Sequence, residues 1–175
     1  MKFIYTFFMI VFLFSSCNSM PVSYSSCESW SMPEKYKNKT RAAKTIQVAG
    51  VSVDRPGGWD SLEKEICALA PIYFWEQGYK QAASGKTPDY IAFINLRERE
   101  FADGWHTRKS LVMEVRVWQC VKGSTSFENY QDKIPIAAGR IVSIGNRSFS
   151  SSQTAGKMLS RAVSMTVKRI PRTGR

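Results

Sequence analysis

The stretch Tyr90–Gln119, YIAFINLREREFADGWHTRKSLVMEVRVWQ, decides the fold. Two alternating runs meet at Asp103-Gly104, a dipeptide suited to a two-residue type I′ turn. With that turn Ala102 faces Trp105, and counting outward pairs Leu96 with Leu111, Ile94 with Met113, Ala92 with Val115 and Tyr90 with Val117. Every pair is apolar, and all four lie on one face because side chains alternate with period two. The other face then sets Arg97 against Ser110, Asn95 against Val112, Phe93 against Glu114 and Ile91 against Arg116. Glu98 falls opposite Lys109 as a cross-strand ion pair, and His106 falls opposite Phe101. A slip by one residue would turn the apolar set to the wrong face. The reading is a long antiparallel hairpin with one core face.

Upstream, Thr45–Val53 is β-branched and reads as a strand, after which Pro56-Gly57-Gly58 turns the chain. Asp60 and Glu63 have capping-box spacing, and Leu62, Ile66, Leu69 and Tyr73 follow at helical spacing, with Cys67 and Ala70 beside that stripe. Pro71 should kink or restart this helix, because proline has no amide hydrogen to donate. The aromatic cluster Tyr73-Phe74-Trp75 reads as core.

Downstream of the hairpin, residues 122–133 form a polar loop, Ile134–Ile144 reads as a strand and Gly145-Asn146 as a turn. Ser150 and Gln153 repeat the capping-box spacing and open a helix of four to five turns that Pro171 stops. Its buried stripe is Ala155, Leu159, Ala162, Val163, Thr166 and Ile170, while Lys157, Arg161, Ser164 and Lys168 lie opposite. The order βαβββα predicts an α+β two-layer sandwich: a mainly antiparallel sheet with two helices on one face, over residues 45–170.

No catalytic motif emerges from the residues. Ser84-Gly85-Lys86-Thr87 contains a GKT triplet, but Lys80 stands where a phosphate loop needs its first glycine. The triplet also follows a helix and precedes a strand, the reverse of the required order. Glu98, Glu100, Asp103 and His106 crowd the hairpin tip and define an alternative reading as an envelope hydrolase. Arg97, Arg99, Arg108 and Lys109 sit among those acids, so charge compensation accounts for the cluster without catalysis. A solvated hairpin tip also lacks the shelter that tunes an acid–base pair. No enzyme activity, metal or cofactor is expected. The cysteines have no CxxC spacing and the chain holds one histidine, so a zinc site does not fit.

Binding is the expected business of the domain. The chain carries a net charge of +11, and no acidic residue follows Asp132. Lys157, Arg161, Lys168 and Arg169 are therefore a candidate face for an anionic partner. Arg116 and Trp118, on the sheet face away from the apolar stripe, are a candidate contact surface. The alternative is that the tether or the polar loop covers them.

The N-terminus addresses the chain. Lys2 precedes an apolar run, Phe3–Phe14, and Ser15-Ser16-Cys17 closes it. That run is too short to span a bilayer and reads as an export signal over residues 1–16. These residues resemble a bacterial lipoprotein signal with the relaxed lipobox known from spirochaetes, Phe14 standing where the box usually has Leu, Val or Ile. The resemblance implies that Cys17 is acylated and becomes the mature N-terminus, anchored in a membrane on the periplasmic side or at the cell surface. Asn18–Lys44, rich in Ser, Pro and Lys, then reads as a tether, with residues 171–175 as a basic tail. With Cys17 acylated, Cys27, Cys67 and Cys120 remain, as one disulfide plus a free thiol or as three thiols. Cys67, beside an apolar stripe, reads as a buried thiol.

The element order over roughly residues 45–170 is similar to that of small periplasmic lipoprotein domains such as LptE, the N-terminal domain of TolB and LpoB. That likeness implies a non-enzymatic accessory protein, held by its lipid, that binds or helps assemble an envelope component. The expected partners are the membrane and an envelope protein or anionic polymer; export makes nucleic acid the least expected anionic partner. A surface-exposed polyanion-binding protein is the other binding alternative.

Overall fold

The hairpin forms, with its turn one residue later than the Asp103-Gly104 reading placed it. In the computed structural model of the protein, β4 (Tyr90–Asp103) pairs antiparallel with β5 (His106–Gln119), and Asp103 faces His106. Gly104, at φ 62°, takes the left-handed conformation that a tight turn requires. Every partner is therefore displaced by two residues from the sequence-based register. Leu96 faces Met113, Ile94 faces Val115, Ala92 faces Val117 and Tyr90 faces Gln119. A displacement of two keeps each side chain on its face, which is why the apolar pattern could not detect it. On the other face Arg97 meets Val112, Asn95 meets Glu114, Phe93 meets Arg116 and Ile91 meets Trp118. Phe101 faces Arg108 rather than His106, and Glu98 faces Leu111.

The structure describes residues 25–26, 44–54, 60–83, 85–104, 106–121, 123–145 and 152–171; for 25, 26, 60, 103, 106, 107, 152 and 153 only the backbone is described. The export signal, Cys17, Cys27, the Pro56-Gly57-Gly58 turn, Asn146, Ser150 and the basic tail from 172 onward lie outside them. β1 is Ser25–Ser26, β2 is Lys44–Asp54, β3 is Tyr79–Gln81 and β6 is Ala137–Gly145. α1 spans Asp60–Glu76 and α2 spans Ser152–Arg169. The sheet runs β1-β2-β4-β5-β6, with β3 also against β2.

β2 and β4 are parallel, joined by a crossover through α1, while β4–β5 and β5–β6 are antiparallel. Thr45 and Asp89 clasp the start of that parallel pair: the Thr45 amide and hydroxyl donate to Asp89 Oδ2 at 2.7 and 2.9 Å. The Val53 amide donates to Glu63 Oε1 at 3.3 Å, linking α1 to the far end of β2.

Both helices pack on one sheet face, as the α+β sandwich requires. Ile66, Phe74, Ala70 and Cys67 from α1 meet Val48, Val51, Ala92, Ile94, Met113 and Val115 from the sheet. Leu159, Ala162 and Val163 from α2, with Ile170 just after its end, complete that core. Burying each large aliphatic or aromatic side chain contributes about 1.5–3 kcal/mol. The expected α2 stripe is buried throughout, with Met158 added to it.

Three details stand beside the sequence reading. α1 runs on through Pro71 without restarting; one missing hydrogen bond is outweighed by the burial of Ala70, Pro71 and Phe74. The last strand begins at Ala137, not Ile134, whose side chain is 91% exposed. Within the segment read as a tether, Ser25–Ser26 pairs antiparallel with Gly50 and Val51.

Candidate functional site

α2 presents the basic face that its sequence predicts. Lys157, Arg161 and Lys168 are exposed, and at 100° per residue they lie within about 40° of one another, along roughly 16 Å of helix. Among the described residues the ion pairs are Arg99–Asp54, Lys109–Glu98, Lys109–Glu100 and Arg116–Glu114, so none neutralises this stripe. α2 contains no acidic residue of its own. Arg169, the fourth residue of the expected set, is exposed as well, and its Nη1 donates to the Ala138 carbonyl of β6 at 2.6 Å.

The helix can carry this face because its other side fits the sheet closely. A Cβ on Gly139 would collide with Thr166 Oγ1 and with the Ala162 carbonyl at 2.5 Å. Thr166, fully buried, donates its hydroxyl to the Ala162 carbonyl at 2.7 Å, and the Val115 carbonyl lies at 3.3 Å. The buried hydroxyl is thereby satisfied inside an apolar seam.

The second candidate surface is closed. Trp118 is on the outer sheet face as expected, but it is only 3% exposed. The loop between β5 and β6 folds back over it. Phe127 stacks on Phe93 with ring centroids 3.6 Å apart and meets Trp118 edge-on at 6.0 Å. The Tyr130 ring lies 6.0 Å from that of Trp118 in a tilted arrangement. Trp118 Nε1 donates to the Lys133 carbonyl at 2.9 Å. The loop is held by Tyr130, whose hydroxyl accepts from the Val121 amide at 2.9 Å and donates to the Ser124 carbonyl at 2.6 Å. Arg116 stays half-exposed and pairs with Glu114 at 2.9 Å. The sequence signal for this lid was the pair Phe127 and Tyr130 inside an otherwise polar loop.

At the hairpin tip, Glu98 and Glu100 share one cation. Lys109 Nζ lies 3.1 Å from Glu98 Oε1 and 2.8 Å from Glu100 Oε1. The Glu98–Lys109 ion pair therefore forms on the diagonal rather than directly across. Hydrogen bonds to Glu100 and Glu98 hold the Lys109 ammonium above its usual pKa. Asp103 and His106 oppose each other in backbone register. Among the described residues no three His, Cys, Asp or Glu side chains gather where a metal ion would bind.

Cys67 is disulfide-bonded, which corrects the buried-thiol reading. Cys120 is a free thiol, half-buried beside the Tyr130 hydroxyl. No helix among the described residues is long and apolar enough to cross a membrane.

No protein-family model matches the sequence, and no curated protein matches it either. Solved structures give partial likenesses, each with a TM-score below 0.5. The chain is similar to the PelC dodecamer from Paraburkholderia phytofirmans, with 11% identity and a TM-score of 0.43 over 76% of this chain and 91% of that one. It is similar to a lipoprotein from Neisseria meningitidis, with 13% identity and a TM-score of 0.39 over 69% and 95% of the two chains. A minor lipoprotein from Acinetobacter baumannii gives 11% identity and a TM-score of 0.37 over 77% and 99%.

Proposed function

We propose that the protein is a lipid-anchored accessory module of the bacterial envelope, which uses the basic face of α2 to engage an anionic envelope component and performs no chemistry itself. The observation that carries this reading is the stripe Lys157, Arg161 and Lys168, exposed on a helix without a single acid. Helix faces usually interleave both signs, so a one-sign stripe favours an anionic partner over mere solubility.

Two further observations support the location. Cys67 is disulfide-bonded, as suits an oxidising compartment outside the cytoplasm. The first residue of the docked strand β1 is Ser25, eight residues beyond Cys17. Eight residues reach at most about 26–29 Å, comparable to the width of a domain of this size. A domain held that closely meets its membrane continually. Acyl chains plus a basic face then satisfy the two-signal logic of stable attachment.

The test separates anchor from face. Made in a lipoprotein-processing bacterium, the protein should gain acyl mass and enter the detergent phase, whereas Cys17→Ala should not. Binding to acidic vesicles is then measured with the unacylated Cys17→Ala chain and with that chain carrying Lys157→Gln, Arg161→Gln and Lys168→Gln. Each cation near an anionic surface contributes about 1 kcal/mol, so the triple change should weaken binding about a hundredfold, and salt should weaken the parent most. Equal binding by both chains removes the α2 face from the reading. Binding to a soluble acidic polymer but not to vesicles would move it to a polyanion-binding protein.

A further inference from the structure

We propose that the free edge of β6 is a docking edge for an extended acidic–aliphatic segment of another protein, which adds a strand to the sheet. The inference goes beyond the basic face of α2 and does not depend on the lipid anchor.

The two edges of the sheet are treated differently. On one side β2 carries a bulge between Val48 and Gly50, and its outer edge is covered by β3 at residues 44–46 and by β1 at Gly50 and Val51. Proteins close an edge in this way, because a bare row of amides and carbonyls templates pairing with other chains. On the other side, among the described residues, β5 is the one strand that pairs with β6, in unbroken register from Ala137 to Gly145, and the Arg169 guanidinium bonds the Ala138 carbonyl near its start. β6 has no proline, no lysine and no bulge. Its only charge is Arg140.

β6 is also shaped as a platform. α2 packs behind it without a gap, as the close approach at Gly139 shows. On the opposite face Arg140 is exposed, Val142 is 50% exposed and Ile144 is 59% exposed. These three alternate residues point the same way, so an added strand would set its own alternate residues beside them. Aliphatic residues match Val142 and Ile144, and a carboxylate matches Arg140.

Charge selects the occupant. From Lys133 to the end of the chain there is no acidic residue, so nothing on β6 or α2 repels an acidic strand. A second copy of this chain would bring another net +11 to the same edge. Strand addition of this kind draws affinity from main-chain hydrogen bonds and specificity from alternate side chains.

The test uses the full-length Cys17→Ala chain and blocked nonapeptides. One peptide alternates valine with glutamate, one alternates valine with lysine, and one is the glutamate peptide with alternate amides N-methylated. The glutamate peptide should bind saturably and slow amide hydrogen exchange within residues 138–144. The lysine and N-methylated peptides should each bind at least tenfold more weakly, as should the glutamate peptide to Val142→Glu, a change at an exposed position that leaves the core alone. Absence of saturable binding at millimolar peptide would falsify the proposal. Equal binding of the N-methylated peptide would reduce it to charge attraction and overturn strand addition. Sedimentation equilibrium is run alongside: a dimer that dissociates in Val142→Glu would make the occupant a second copy and overturn the acidic partner.

Discussion

Gly139 shows how a single missing methyl sets the distance between layers. Its Cβ position is already occupied by Thr166 Oγ1 and the Ala162 carbonyl, and the Thr166 amide lies at 3.0 Å. Two of these neighbours are backbone, so neither can rotate away. Gly139→Ala should therefore push α2 off β6 and cost about 1–3 kcal/mol, the range for overpacking a tight seam; urea denaturation of both chains measures it. The control is Ser143→Ala on the same strand, half-buried and without such a contact, which should change stability by less than about 0.5 kcal/mol. A second prediction at this scale concerns alkali. Burial raises the phenols of Tyr73 and Tyr79, and hydrogen bonds to Glu100 and Glu98 raise Lys109. Each folded group holds its proton more tightly than the unfolded chain does. That stabilisation is complete below the unfolded values near pH 10 and is lost as pH climbs through the raised ones. Unfolding midpoints should stay level from pH 7 to 9 and fall above about pH 10, and a steady decline beginning near neutrality would contradict the assignment.

The elements divide by how local their signals are. The face assignment of β4 and β5 was legible because alternation over fourteen-residue strands repeats one message many times. The register was not, because a shift of two residues leaves that message unchanged and only the turn geometry at Gly104 distinguishes the two. α2 was legible for the same reason as the strands: its buried and basic residues repeat at helical spacing down the whole element. The closure of the outer face was legible as one of two alternatives and no further, since Phe127 and Tyr130 lie in a loop whose composition is polar and whose path is set by tertiary contacts. Their packing on Phe93 and Trp118 turns that loop into a lid. Phe127→Ala removes the stacked ring and should cost about 3–5 kcal/mol if the lid folds with the domain. Fluorescence quenching of Trp118 by acrylamide gives the local readout. With the other four tryptophans changed to phenylalanine, quenching should be weak in the parent and strong in Phe127→Ala. A strongly quenched parent would mean that the outer face is open after all, returning Trp118 to the contact surface that the sequence suggested.

At the scale of the whole molecule, sulfur chemistry would tie the proposed anchor to the fold. Four cysteines are present; Cys67 is in a disulfide and Cys120 is a free thiol. Within one chain the cysteines left to pair with Cys67 are Cys17 and Cys27, and the two cases exclude each other's biology. A lipoprotein cysteine carries its diacylglycerol on sulfur, so an acylated Cys17 cannot also form a disulfide. If the anchor exists, Cys27 is the partner of Cys67. The bond would then tie position 27, one residue after the end of β1, to α1. It closes a loop of about forty residues (67 − 27), which in the chain-entropy account stabilises the domain by roughly 3–4 kcal/mol. Peptide mapping of the membrane-extracted protein distinguishes the two. Alkylation before reduction should label Cys120 alone, and alkylation after reduction should add Cys27 and Cys67. The N-terminal peptide should carry acyl mass at Cys17 under both conditions. Cys27→Ser should then leave membrane attachment intact while lowering the unfolding midpoint and exposing Cys67 to alkylation. A disulfide-linked peptide pair containing Cys17 would mean the opposite: the signal is simply removed, Cys17 staples the domain, and the basic face of α2 has to find its anionic partner without an anchor.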